Sequence, residues 1–144
     1  ARIAPMLRPG DTLLLSGPIG AGKTHFARAV IQARLAAVGM HEDVPSPTFT
    51  LVQVYQAGDV EIWYSDLFRL TQPDETAELG LEEAFETAIC LVEWPERLAE
   101  LAPADALHLH FELTGEGRSV SLSGVAERWA PVLAALTESA AADA

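Results

Sequence analysis

The chain has 144 residues, 49% of them hydrophobic, with nine basic and 21 acidic side chains and a formal net charge of −12. That length suits one α/β-sized globular domain spanning 1–144, and its acidity disfavours nonspecific attraction to nucleic acid or anionic lipid. No apolar run approaches the roughly 18 residues of a membrane span and no basic segment precedes an apolar core near Ala1, so a soluble, cytoplasmic protein without membrane attachment is expected.

The chain opens on Ala1, and "ARIAPML" reads like the tail of an interrupted helix, so residues before it are expected to be missing. "RPGD" (Arg8 to Asp11) is a turn leading into "TLLLS", an apolar run suited to a strand buried on both faces. After "GPIGAGKT" comes "HFARAVIQARLAAVG", where Phe26, Ala29, Val30, Ala33 and Ala37 recur at helical spacing and Gly39 supplies a stop. "VPSPTF" is a loop stiffened by two prolines. "TLVQVYQ", "AGD" and "VEIWYS" read as two strands around a glycine turn at one sheet edge, with Asp66 ending the second.

"PDETAELG" and "LEEAFE" offer two short helical turns, and "AICLVE" is an apolar run ending in Glu93. Cys90 in that run reads as a small buried hydrophobe. "ADALHLHFEL" alternates, with Leu107, Leu109, Phe111 and Leu113 on one face and His108, His110 and Glu112 on the other. A solvated strand face explains that alternation better than a metal site. "RSVSLS" is its partner strand. The chain closes on an amphipathic stripe of Val125, Trp129, Val132, Leu133 and Leu136, with Pro131 placed to kink or restart the helix.

Eight of the nine basic residues are arginine, so the one lysine, Lys23, stands out. It lies in Gly17 to Thr24, a full match to G-x-x-x-x-G-K-[ST], set between a buried strand and a helix. The chemistry requires these types. Backbone N–H groups must turn inward around phosphate oxygens, which glycine permits cheaply, the lysine adds a flexible point charge, and Thr24 supplies a hydroxyl to Mg²⁺. The stretch therefore reads as a nucleoside-triphosphate cradle. Asp66 and Glu93 both end strands. "ICLVE" has the form of a strand that presents a Mg²⁺-binding acid, and Asp66 suits water positioning or a metal contact, with the two roles interchangeable and a helix cap or surface acid as the plain alternative for each. Thr48 follows the proline loop where nucleotide switches place a hydroxyl near the γ-phosphate, or is an ordinary turn residue. The N–H of His25 lies in the helix's first turn. Arg118 can stack on a base or reach phosphate from its turn, and Trp94 reads as packing or a partner contact.

The order "LRPGD", "GPIGAGKT", "SPTFTLVQVY", "DLFRL", "LVEWPERL" resembles the TsaE family, the ATPase of bacterial tRNA threonylcarbamoyladenosine biosynthesis, over Leu7 to Arg118. The resemblance implies nucleotide contacts at Gly17, Gly20, Ala21, Gly22, Lys23, Thr24, His25 and Arg118 and Mg²⁺ at Thr24 and Glu93. It also implies a switch-like role for Thr48, a catalytic or metal-linked role for Asp66, and action with TsaB and TsaD, with tRNA reached only through that complex. Three departures stand out: Tyr64 occupies a position where similar proteins usually carry histidine, Phe68 replaces a tyrosine, and Pro18 replaces a common acid. The expected fold is a three-layer P-loop α/β fold with parallel core strands and an antiparallel edge hairpin. The competing functions are a small-molecule kinase and a nucleotide-gated binding module with little hydrolysis. A kinase lid is disfavoured because 70–96 contains no basic residue, and a GTPase because the chain has no asparagine.

Overall fold

The computed structural model describes residues 3–18, 22–47, 51–68, 79–114, 117–124 and 127–134. Strand β1 is Thr12–Ser16, helix α1 Lys23–Ala37, β2 Val52–Ala57, β3 Val60–Asp66, helix α2 Leu81–Thr87, β4 Ile89–Glu93, β5 Leu107–Thr114 and β6 Gly117–Ser123. The strands form one sheet in the order β2-β3-β4-β1-β5-β6. The inner four are parallel, and an antiparallel strand closes each edge, β2 on β3 and β6 on β5.

The apolar run of β1 behaves as its sequence implies. Leu13 and Leu15 face one core and Leu14 the other, all of them at most 1% exposed. Burying each such leucine stabilises the fold by roughly 1.5–3 kcal/mol. The face of Leu13 and Leu15 is covered by α1, and that of Leu14 by α2 and the 3₁₀ segment Pro95–Leu101 through Leu81 and Leu98. Helices on both faces of a mostly parallel sheet make three layers, as expected.

The buried stripe of α1 runs through Lys23, Ala27, Val30, Ile31 and Leu35, with Phe26 and Ala33 packed at its margin and Ala37 exposed. The expected stripe is thus rotated toward the bulkier Ile31 and Leu35, whose burial removes more apolar surface from water than that of Ala29 or Ala37. Gly39 ends the helix in the left-handed region at φ +73° and donates its N–H to the Ala36 carbonyl. Arg34 in the last turn reaches back to the carbonyls of Ala4 and Leu7. The β2–β3 hairpin turns on Gly58, φ +65°, with Ala57 opposite Val60.

Of the two helical turns expected before β4, "LEEAFE" is α2, and residues 73–78 of the other lie outside the described residues. The last turn of the described chain is 3₁₀ over Glu127–Trp129 and helical over 130–134, so Pro131 starts that helix rather than breaking it. Trp129 and Val132 are buried; Val125 and Leu136 lie outside the described residues. Among the described residues no helix is long and apolar enough to cross a membrane.

Candidate functional site

Parallel pairing brings the carboxyl ends of β1, β3 and β4 to one edge. Leu15 pairs with Glu93, and Glu93 with Asp66, so the two strand-ending acids stand side by side next to the loop that leaves β1. In open α/β sheets this edge is where ligands bind.

The loop leaving β1 has the backbone that its glycines permit. Gly17 sits at φ +128°, and a Cβ there would strike the carbonyl oxygen of Phe111. Gly22, at φ +107°, is the N-cap of α1 and contributes no side-chain cap, so the first N–H groups of the helix receive no hydrogen bond from a cap side chain. The positive end of the helix dipole points the same way. Lys23 opens the helix, 4% exposed, with Nζ donating to the Gly17 carbonyl at 2.5 Å and lying 3.9 Å from the centroid of the Trp94 ring. Burial holds its pKa below the usual lysine value, and the Glu93, Glu96 and Asp66 carboxylates pull the other way.

Thr24 Oγ1 donates to the Glu93 carboxylate, 3.2 Å from Oε1 and 3.1 Å from Oε2. Tyr64 donates its phenolic hydrogen to Glu93 Oε2. Glu93 is 3% exposed, and burial raises its pKa, with the nearby Asp66 charge adding to the rise while the Tyr64 and Thr24 hydrogen bonds and Lys23 counter it. Burial and the Glu93 charge push the Tyr64 phenol well above its ordinary value, so it remains a proton donor across the physiological range. Asp66, 7% exposed, accepts the N–H of Phe68 at 3.0 Å, which turns the chain sharply after β3.

Trp94, directly after Glu93, takes a left-handed backbone at φ +60°, uncommon for a bulky residue, while its N–H still reaches the Leu15 carbonyl. That conformation lays the indole over Lys23 and against Phe68, with ring centroids 4.8 Å apart at 47°. An open cleft of about 450 Å³ adjoins this group, lined by Ser16, Gly17, Pro18, Trp94, Glu96 and His110. A cavity of similar size at the amino-terminal edge of the sheet is rimmed by Glu82, Glu86 and Asp105, and among the described residues no basic side chain lines it.

The structure thus gathers Gly17, Gly22, Lys23, Thr24, Asp66 and Glu93 into one place. His25 lies beside them in the first turn of α1 with its side chain exposed. Arg118 stands opposite Leu113 in β6, two strands from β1, and its side chain lies outside the described residues, as do Gly20, Ala21 and Thr48. His108, His110 and Glu112 are exposed on the solvent face, with His110 Nδ1 2.9 Å from Ser16 Oγ. Sequence reasoning named neither Tyr64 nor Trp94 as a contact of the acid and the lysine. For Tyr64 the available signal was its period-two spacing from Asp66 along β3.

A family model described as threonylcarbamoyl adenosine biosynthesis protein TsaE matches residues 1–120. The chain belongs to the TsaE family. Among the TsaE relatives, the tRNA threonylcarbamoyladenosine biosynthesis protein TsaE of Rickettsia felis is 37% identical over 116 residues, 81% of this chain and 66% of that protein. The Rickettsia conorii protein of the same name is 39% identical over 110 residues, 76% of this chain and 61% of its own length, so the chain spans somewhat less than two thirds of both. The TsaE of Bacillus subtilis is 34% identical over 128 residues, 88% of this chain and 77% of that protein. The fold is similar to the crystal structure of Bacillus subtilis YdiB, with a TM-score of 0.72 and 27% identity over 95% of this TsaE-family chain and 86% of that one.

Proposed function

We propose that this chain binds and hydrolyses ATP with Mg²⁺ and serves tRNA threonylcarbamoyladenosine formation together with TsaB and TsaD. The observation that carries the reading is the buried Lys23 ammonium, folded back on the glycine loop beside a Thr24–Glu93 pair at the carboxyl ends of parallel strands. The TsaE relatives' names supply the pathway.

Lys23 now satisfies itself on the Gly17 carbonyl, a neutral acceptor. A phosphate oxygen is the stronger, charge-assisted partner, so triphosphate binding exchanges one for the other. The first N–H groups of α1 add donors for the same anion. Thr24 Oγ1 and the Glu93 carboxylate are hard oxygen donors 3.1–3.2 Å apart, which fits Mg²⁺, an ion that takes one or two protein oxygens and completes its shell with water and phosphate. These two residues would hold the metal, which when bound neutralises charge on the phosphate oxygens. Asp66, paired in register with Glu93, would orient the attacking water. Thr48 would act as a switch residue, with Arg118 and His25 as further nucleotide contacts.

The Trp94 ring over Lys23 also favours a gated mode, in which nucleotide occupancy changes a partner surface and turnover by the chain alone is slow. Phosphate release from ATP is measured for the chain alone and with TsaB and TsaD. Slow turnover alone and faster turnover with both partners is expected. Fast turnover unaltered by them, or transfer of phosphate to a metabolite, overturns the reading.

A further inference from the structure

Tyr64 is wholly buried in β3, the strand next to the β4 strand that ends in Glu93, and its backbone pairs with Leu91. Its aromatic ring needs no polar partner to pack there, yet its hydroxyl is directed at Glu93 Oε2. The Glu93 carboxylate has about four lone-pair positions for acceptance. Thr24 brings a single proton, shared between the two oxygens at 3.2 and 3.1 Å. A hydroxyl placed symmetrically before both oxygens sets the distance of the carboxylate but not its rotation. The proton of Tyr64 singles out Oε2, and it comes from a rigid ring with few rotatable bonds, held in β3 by packing against Ile62 and Leu91 in the same core.

We infer that Tyr64 is a positioning residue, whose hydroxyl locks the rotation of the Glu93 carboxylate so that it faces Thr24 in the orientation that the divalent cation uses. Partners of metal ligands commonly act in this way, and losing one typically costs 10–100-fold in metal affinity. The inference rests on the metal reading of Thr24 and Glu93 given above. Tyr64 touches neither nucleotide nor metal; its hydroxyl also interacts with the Thr24 hydroxyl, and the Glu93→Gln background below isolates the part of its effect that passes through Glu93.

The test separates that effect from general weakening. Binding of a fluorescent non-hydrolysable ATP analogue is titrated in EDTA and in saturating Mg²⁺, and the ratio of the two dissociation constants is the Mg²⁺ increment. In Tyr64→Phe the increment is expected to fall about tenfold, with affinity in EDTA unchanged within twofold. In a Glu93→Gln background the same substitution is expected to change the increment by less than twofold. An unchanged increment in Tyr64→Phe overturns the inference, as does an equal loss with and without Mg²⁺, or a full further loss in the Glu93→Gln background. If Tyr64→Phe does not fold, Tyr64→Leu, which also fills the core without a hydrogen-bond donor, replaces it. An increment reduced about tenfold supports the role, and an unchanged one overturns it. An unmutated chain with no Mg²⁺ increment removes the metal site itself and the positioning role with it, a failure recognisable before any substitution is made.

Discussion

Replacing Lys23 with methionine separates what this side chain does for the fold from what it does for a ligand. In the folded chain the ammonium makes one charge-assisted hydrogen bond to the Gly17 carbonyl and lies against the Trp94 ring, contacts worth about 1.5–3 and 0.5–2 kcal/mol respectively. Against them stands the cost of keeping a charge in a position 4% exposed, which the lowered pKa also reports. Methionine keeps the length of the stem and its contact with the indole while abolishing the buried charge. The terms oppose each other and are of similar size, so stability is expected to change by no more than about 1 kcal/mol. A bound triphosphate has no such compensation. Loss of a charged hydrogen bond costs about 1.5–3 kcal/mol, which is roughly a 10–150-fold loss of affinity. Calorimetric titration with an ATP analogue, beside a thermal melt of the same samples, reads both quantities. Affinity preserved within twofold while the melt is also preserved refutes the placement of the phosphates at this loop.

Two further outcomes follow from the same geometry. Gly17→Ala combines φ +128° with a Cβ driven into the Phe111 carbonyl, and Gly39→Ala has φ +73° but open space around it. The first is expected to cost roughly 3 kcal/mol or more and the second about 1–2 kcal/mol in urea unfolding; equal costs would show that the close approach at Gly17 carries no energy. Glu93 has a folded pKa above its unfolded value, because burial opposes its charge. The folded state therefore binds the extra proton between those values, and the stability that Glu93 costs the chain is recovered as pH falls through the folded pKa. Relative to Glu93→Gln, the unmutated chain should gain melting temperature over that window, and its Mg²⁺-dependent nucleotide affinity should fall there, starting above the ordinary glutamate pKa of about 4.3. Melting curves of the two proteins that stay parallel across a pH series count against the buried charge.

The glycine loop was legible because everything that defines it is contiguous. A buried strand, a run of glycines, one lysine and a helix lie within Thr12 to Ala37, and period-two and period-3.6 patterns read such local order directly. For the same reason the β2–β3 hairpin could be read from its glycine turn, and Asp66 and Glu93 from their places at the ends of apolar runs. The stripe of α1 was only approximately legible, since which arc of a helix is buried depends on the bulk that the facing sheet accepts.

Amino-acid order by itself determined which chemical groups the chain owns and which of them sit at the ends of strands. Only the tertiary structure decided which of those ends meet. The pairing of Asp66 with Glu93 spans 27 residues of chain, the Tyr64 bond 29 and the Thr24 bond 69, and strand order over such distances is set by the packing of both sheet faces together, which no local periodicity records. The left-handed turn that lays Trp94 over Lys23 is likewise imposed by the sheet edge and the aromatic contact with Phe68, against the residue's own preference.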